Sequence, residues 1–298
     1  MDIFEACRTG NLEWLIMQQK AETLGDIMQR IYAITLVEGD WLFDDFSSYP
    51  HTVAASEGHL DVLKWLVNKY RQQVDLNLVN SCGYTAVTSA ASNGHLDVIK
   101  WLVKESGQQV DLNSGNSNGY TAVIFAAQYG HLDVIKWLVK ESGQHVDVTA
   151  NYNDAVIRAT KYGHLNVVKW LVKESGQHVD VTAYNNNALM YAAEWGHLDV
   201  VKWLVKESGQ PVDVTAANNY AVVTAAMHNN LDIVKWLVED SSQSFDCRDM
   251  DSFISHSSEL TKQYIMKVAE AQRLLGIDGA WKKTLKEPSL VMEKKWQL

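Results

Sequence analysis

The residues with the most obvious chemical potential recur in pairs. The stretch GHLDVIKWLVK, Gly94 to Lys104, returns with small changes along the chain, and four copies set a histidine two residues ahead of an acid: His59 with Asp61, His95 with Asp97, His131 with Asp133 and His197 with Asp199. In a fifth copy His164 is followed by Asn166. A His–Asp pair can do acid–base work, and histidines can ligate zinc. Neither chemistry fits this spacing. Equivalent positions on stacked helices lie roughly 8 to 10 Å apart, whereas zinc ligands converge to about 2 Å from one ion, so successive histidines cannot share a metal. A His–Asp pair without a third ligand or a nearby nucleophile is also an incomplete catalytic set. The same residues do explain a turn, because an acid in the first turn complements the helix dipole and a histidine can satisfy backbone groups left open there. The expectation is structure, with no catalytic residue, no metal and no cofactor.

The elements that place these pairs follow from the period. The glycine ahead of each His–Leu is Gly58, Gly94, Gly130, Gly163 and Gly196, with Asn229 in the sixth place, so the spacing is 36 residues twice and then 33 residues three times. Within a copy the pattern predicts helix, tight turn, helix. In TAVIFAAQYG, Ala122, Ala126 and Ala127 permit a close neighbour, and Gly130 supplies the left-handed turn. The second helix sets Val134, Ile135, Leu138 and Val139 on one stripe, with Asp133, Lys136 and Lys140 pointing away.

Bulk properties narrow the function classes. The chain has 298 residues, of which 47% are hydrophobic and 21% charged, enough apolar content to fold. Its formal charge of -10 and pI near 5.4 argue against a broad nucleic-acid footprint, which needs clustered Lys and Arg. Cys7, Cys82 and Cys247 lie far apart without metal-ligand spacing and fit a reducing compartment. With no secretory signal recognised at the start and no apolar run of membrane-spanning length, the expected location is cytoplasmic.

The blocks resemble ankyrin repeats, with GHLDVIKWLV matching that family's second-helix pattern and YTAVTSAASNG or YTAVIFAAQYG its first. The resemblance covers roughly residues 49 to 240. Two departures stand out. The family's Thr-Pro-Leu-His opening has become TAVT, TAVI, DAVI, NALM and YAVV, and the connector KESGQHVDVTA is longer than the family's link. The resemblance implies an all-α, ankyrin-type α-solenoid of about six to seven helix-turn-helix repeats with atypical caps, acting as a non-enzymatic protein-binding scaffold. The near-identical copies also resemble ankyrin effectors of intracellular bacteria and large viruses, which would place the chain in a host cytosol.

Three regions are expected. Residues 1–48 form a degenerate N-terminal capping repeat, in which Asn11 to Leu15 echo the second helix, with an inserted helix from Thr23 to Glu38 and an acidic-aromatic loop over 38–50. That loop reads either as a flap over the first repeat or as a contact for a basic partner. Residues 49–240 form the array. Residues 241–298 form a helical cap or tail, with a helix from Ser258-Glu259 to Gly276 bearing Leu260, Ile265, Val268, Ala269 and Leu275, and a last segment, LVMEKKWQL, beyond Pro288. From residue 250 on, basic residues outnumber acids by two, so the tail reads as a cap or as a docking or export segment.

Differences among the copies point to the binding surface. The tryptophans Trp65, Trp101, Trp137, Trp170, Trp203 and Trp236 recur at the flank of the apolar stripe and read as packing, large aromatic area at helix–helix contacts, more simply than as a ladder for stacking on bases or sugars. Two pairs of first-helix positions vary freely, and the resemblance implies that residues just before the Gly-His turn, with the hairpin tips, line a concave groove that holds partners. The candidates are Phe125, Tyr129, Arg158, Lys161, Tyr162, Tyr191, Glu194, Trp195 and His228, several of them aromatic or arginine as at interface hot spots. The competing explanation is drift, with some of these side chains turned inward. The expected partner is one or more proteins, bound by a monomer without nucleic acid or a membrane span. Two rival classes remain: an adaptor, which needs a second module that neither end displays, and an enzyme in the tail, whose candidates are His256 among Ser255, Ser257 and Ser258.

Overall fold

A computed structural model of the chain describes residues 2–20, 49–116, 118–241, 243, 246–247, 257–275 and 282. These fall into two compact units, Met1–Ala155 and Val156–Leu298. Among the described residues every regular element is helical. The first unit holds four antiparallel pairs: Ile3–Thr9 with Leu12–Lys20, Pro50–Ser56 with Leu60–Lys69, Ala86–Asn93 with Leu96–Lys104, and Ala122–Gln128 with Leu132–Lys140. The segment Ala150–Lys161 runs across the boundary in the chain. In the second unit Leu165–Lys173 follows it, then Ala183–Glu194 with Leu198–Lys206 and Ala216–Met227 with Leu231–Lys235. The last of these continues into a π-helical turn, Trp236–Asp240, and Glu259–Leu275 follows.

The sequence explains these pairs locally. Thr85 caps Ala86–Asn93 reciprocally with Thr88, and Pro50 occupies the first helical position of its copy, where a missing N–H costs nothing. First helices are built of small residues, so Ala122 to Ala127 are buried on all sides between neighbours. Second helices bury Val134, Ile135, Trp137 and Leu138, while Asp133, Lys136 and Lys140 face solvent. Tryptophan thus takes the core place expected for Val139, which is half-buried, and the series Trp101, Trp137, Trp170, Trp203 and Trp236 is packed inside. Each such large apolar side chain contributes about 1.5–3 kcal/mol on burial.

The recurrent histidine makes its contact outside its own helix. As N-cap it offers no side-chain bond to the helix it precedes. Instead its Nε2–H donates to a carbonyl of the preceding copy, two residues before that copy's glycine: His59 to Arg8 O at 2.9 Å, His95 to Ser56 O at 2.9 Å, His131 to Ser92 O at 3.0 Å and His197 to Lys161 O at 2.9 Å. The ring lies against the glycine itself. A Cβ on Gly94 would stand 2.6 Å from His131 Nδ1, and Gly94 has φ +78°, so an L side chain is refused there on two grounds. In the last copy Asn229 adopts φ 63° in place of glycine, and Asn230 takes the histidine's place, its Nδ2 donating to Ala193 O at 2.9 Å and Glu194 O at 2.7 Å. The first-turn acid behaves as expected: Asp61 and Asp199 accept the next residue's N–H, and Asn166 makes the same bond without the charge.

The connectors carry a second tie between copies. In the first unit, Gln108 Nε2 donates to Val74 O at 2.7 Å while its Oε1 accepts Leu76 N–H at 3.1 Å, and Gln144 does the same to Val110 and Leu112. In the second unit Gln210 spans Val179 and Val181, and Gln243 spans Val212 and Val214. The glutamine amide thus pairs with the neighbouring backbone as another peptide group would. The change of period lies just beyond. In the 36-residue copies Asn80 and Asn116 each accept two N–H groups, from Cys82 and Tyr84 and from Asn118 and Tyr120, in a loop closed by Gly83 or Gly119 at positive φ. In the 33-residue copies three consecutive residues turn left-handed: Asn151–Asn153, Tyr184–Asn186 and Ala217–Asn219. Two of the three in each turn are asparagine, the type that tolerates this region best after glycine. An Asp-x-Thr step leads in, with Thr182 N and Oγ1 both donating to Asp180 Oδ1 and Thr182 O accepting Asn186 N–H at 3.0 Å.

At the C-terminal side of the second unit, Ser258 N–H donates to Asn229 Oδ1 at 2.6 Å, Cys247 N–H to Gln272 Oε1 at 2.7 Å and Tyr264 OH to Glu239 Oε1 at 2.5 Å. Burial first and then the bond to Glu239 push the Tyr264 phenol far up. Ile265, Val268 and Ala269 are buried as expected, but Leu260 is exposed, because it lies on the side of the helix away from them. The helix expected over Thr23 to Glu38, most of the acidic-aromatic loop, Ser255, His256 and LVMEKKWQL lie outside the described residues.

Two outcomes follow. Gly94→Ala should lower unfolding free energy by about 1–3 kcal/mol in urea titration, from left-handed strain and the clash with His131. The double variant with His131→Ala should cost less than the sum, since the ring that clashes is gone, whereas additive costs would contradict the lock. Separately, His51 is fully buried against the Tyr49 ring, and burial pushes its pKa down to about 3. Unfolded, the imidazole takes a proton below about pH 6.5. The unfolded state therefore binds more protons between those values, so this contribution to stability is complete above 6.5 and is lost as pH falls toward 3. Urea midpoints at pH 7.5 and 5.5 should differ more for wild type than for His51→Gln, and an equal difference would remove His51 as the cause.

Candidate functional site

The variable first-helix positions separate by burial. The pair nearer the middle of the helix is buried in Thr88 and Ser89, Ile124 and Phe125, and Val223 and Thr224, and half-buried only at Ile157 and Arg158 and at Met190 and Tyr191. Phe125, expected at the binding surface, is 4% exposed and packs its ring 4.6 Å from Tyr84 and 5.9 Å from Tyr120. Its place in an all-buried helix makes it a core residue. The pair at the helix end faces outward, as in Tyr129, Tyr162, Trp195 and His228, the residues next to the turn glycine or Asn229.

In the unit Val156–Leu298 these outward residues meet. Lys161 ends one first helix and Tyr162 follows it, while Tyr191 and Trp195 lie four apart on the next, and so on one face. Lys161 Nζ sits 4.9 Å from the Trp195 ring centroid, 5.6 Å from Tyr191 and 5.7 Å from Tyr162. The Tyr162 and Trp195 rings are 6.1 Å apart at 40°. Trp195 is 50% and Tyr162 39% exposed, an outlay of aromatic surface in water that the core positions avoid. A cation over a ring at an exposed site is worth about 0.5–1 kcal/mol, so three rings around one ammonium hold its side chain in place. Arg158 lies one turn before Lys161 and is half-buried.

Beside this group, Glu194 Oε1 lies 3.9 Å from His228 Nε2. His228 donates from Nδ1 to Thr224 O at 3.0 Å, so in the neutral ring Nε2 is left bare toward the carboxylate and an ion pair forms only on protonation. Tyr129 is exposed in the other unit, at the equivalent helix end. Among the expected residues, therefore, Lys161, Tyr162, Tyr191 and Trp195 are in contact, Glu194 and His228 pair, and Phe125 lies inside.

The frame fixes the place of this group. The carbonyl of Lys161 receives His197 Nε2, and that of Glu194 receives Asn230 Nδ2, so the backbone of each is held by the following copy while its side chain projects. Sequence reasoning missed the exposed tyrosines in the left-handed turns, Tyr152 and Tyr184, and the one directly after the third, Tyr220. The shortening of the period by three residues was the available signal that this loop had changed. No catalytic constellation is present at this site: rings, a lysine, an arginine and a His–Glu pair supply adhesive and electrostatic contacts, without a nucleophile aligned to a base. Buried Cys7 and Cys247 have their thiols pushed up to about 12 by burial first and then by Asp2 and Asp246, which keeps them protonated. Among the described residues, no three of His, Cys, Asp and Glu converge where an ion could sit, and no helix is long and apolar enough to cross a membrane.

No curated protein matches the chain in sequence. Among solved structures, the ankyrin repeat domain of Bcl-3, a member of the IkappaB protein family, is similar over 74% of this chain and 98% of its own, at 22% identity and a TM-score of 0.53. The human ASB11 ankyrin repeat domain is similar over 74% and 97%, at 21% identity and a TM-score of 0.57. At these identities the likeness concerns the fold. A family model, ankyrin repeats in three copies, matches residues 51–151 and 142–218. With more than half of the sequence matched and helix pairs locked copy to copy by glycine and histidine, the chain belongs to the ankyrin repeat family.

Proposed function

We propose that the chain is a non-enzymatic scaffold that binds a partner protein, and that the grip is centred on Arg158, Lys161, Tyr162, Tyr191, Glu194, Trp195 and His228, with Tyr129 as a further contact. Ankyrin repeats are in general protein–protein interaction modules, which is the coarse part of this reading. The observation that carries the finer part is the cluster of half-exposed rings around Lys161, set in a framework whose other large apolar groups are mostly buried. Tyrosine, tryptophan and arginine dominate interface hot spots because they bring much contact area with few rotors to freeze. Residues 49–240 are the array, residues 1–48 an N-terminal cap and residues 241–298 a C-terminal cap. The bonds of Ser258 to Asn229 and of Tyr264 to Glu239 support the last assignment over a free docking tail. A cytoplasmic monomer, or one delivered to a host cytosol, fits the free cysteines and the acidic charge.

The test is affinity capture from a cytosolic extract with wild type and with Tyr129, Arg158, Tyr191 and Trp195 changed together to alanine. Recovery of the specific partners should fall at least about tenfold, since hot-spot truncations each cost about 2 kcal/mol or more. A quadruple variant with an unchanged thermal midpoint that recovers the same proteins at the same yield would overturn the assignment.

A further inference from the structure

We propose that the cluster around Lys161 selects an acidic partner segment, in which an Asp or Glu carboxylate is taken by the Lys161 ammonium while a neighbouring apolar side chain lies against Trp195 and Tyr162. The inference rests on the partner-binding reading above and adds the chemistry of the partner. It starts from what the rings leave available. Faces of aromatic rings are negative and edges positive, so an open aromatic cage would invite a cation. Here the faces of Tyr162, Tyr191 and Trp195 are already turned to the chain's own cation at 5.7, 5.6 and 4.9 Å. A partner therefore meets the ammonium, the indole N–H, which only donates, and phenol hydroxyls. No described carboxylate forms an ion pair with Lys161, and the nearby acid, Glu194, is turned to His228.

In a chain of net charge -10 the Lys161 ammonium is a cation presented among ring faces with no carboxylate bonded to it among the described residues, and charge complementarity picks an anion for it. The apolar requirement comes from the half-exposed indole and phenol, which offer area that a carboxylate alone would leave wet. Because three rings hold the Lys161 ammonium, part of the cost of freezing a long side chain on binding is spared.

The test uses defined peptides and the full chain. Short peptides with one Phe or Leu flanked by Asp and Glu are compared with amide counterparts carrying Asn and Gln, and with Lys-flanked peptides, by calorimetry or by shifts of the Trp195 indole N–H, assigned with Trp195→Phe. The acidic set should bind at least about tenfold more tightly than the amide set, and the preference should weaken with salt. Lys161→Met should erase the preference, bringing acidic and amide peptides to equal affinity, while Lys161→Arg should keep most of it. Circular dichroism on each variant separates loss of charge from loss of fold. Equal binding of acidic and amide peptides to wild type, tighter binding of the Lys-flanked set, or no binding of any peptide overturns the acidic partner. If peptides bind without regard to charge and Trp195→Ala abolishes that binding, the acidic inference fails while the binding face stands. If the quadruple alanine variant captures partners at wild-type yield, the face itself fails.

Discussion

The contact between a turn glycine and the histidine of the following copy is what the rest of this structure depends on. One ring does two things at once: Nε2–H answers a carbonyl at the end of a first helix, which has no partner of its own there, and the ring fills the space that a Cβ would need. Because ring and glycine belong to different copies, each copy is completed by its neighbour. That is the physical content of a repeat fold, whose stability sits in nearest-neighbour interfaces more than in any one unit. Where the histidine gives way to Asn230, the carboxamide still reaches two carbonyls of the previous copy, so the interaction survives a change of side chain as long as a donor is delivered to that spot.

The lock also accounts for where variation is allowed. The acceptor is a backbone carbonyl, and every amino acid has one. At the locked position the chain can therefore carry Arg8, Ser56, Ser92, Lys161 or Glu194 without disturbing the frame, because the frame never touches the side chain through this bond. Sequence freedom and geometric precision coincide at one residue. The glutamine clamps work alike, bonding only backbone groups of the preceding connector, and they leave the intervening loop free to change length. In the 33-residue copies that loop is three residues shorter, and Gln210 and Gln243 still make the clamp. The cost is a run of left-handed residues, each unfavourable by roughly 1–2 kcal/mol for an ordinary L-residue, moderated by asparagine and by the Asp-x-Thr bonds that hold the turn.

Much of this was legible in the sequence, and the reasons differ residue by residue. Period, turn glycines and the apolar stripe gave the helix pairs because each reflects a local rule of helix geometry. The histidine's structural role was legible, but its partner was not: a ring at an N-cap can be read as serving its own helix, and only the stacking of copies brings Ser92 O within 3.0 Å of His131. The outward face of Tyr162 and Trp195 was signalled by their place beside the turn glycine. Phe125 misled because variation alone does not separate exposed from buried positions, and Tyr84 and Tyr120 had room for a ring in one copy that serine or threonine fills in others. The Lys161 cluster was the least legible, since it joins residues thirty or more apart through contacts of an ammonium with ring faces, which no spacing rule records.

Rigid copies and variable helix ends together set a limit on how such a chain acquires a partner. A new side chain at the locked position arrives on a backbone already fixed by the neighbour, so its direction is inherited and only its chemistry is new. Lys161 meets Tyr191 and Trp195 because consecutive first helices present their ends side by side, and the same register brings Glu194 to within 3.9 Å of His228 in the next copy. In the second unit two pairs of adjacent copies thus each compose a small patch from two helix ends, and the character of each is decided by very few residues. In this chain one such patch joins a cation to three rings and the next joins an acid to a histidine. In the proposed binding role, these two patches of different character would discriminate by charge order along the partner, while the frame itself is held by backbone bonds that leave their side chains free to vary.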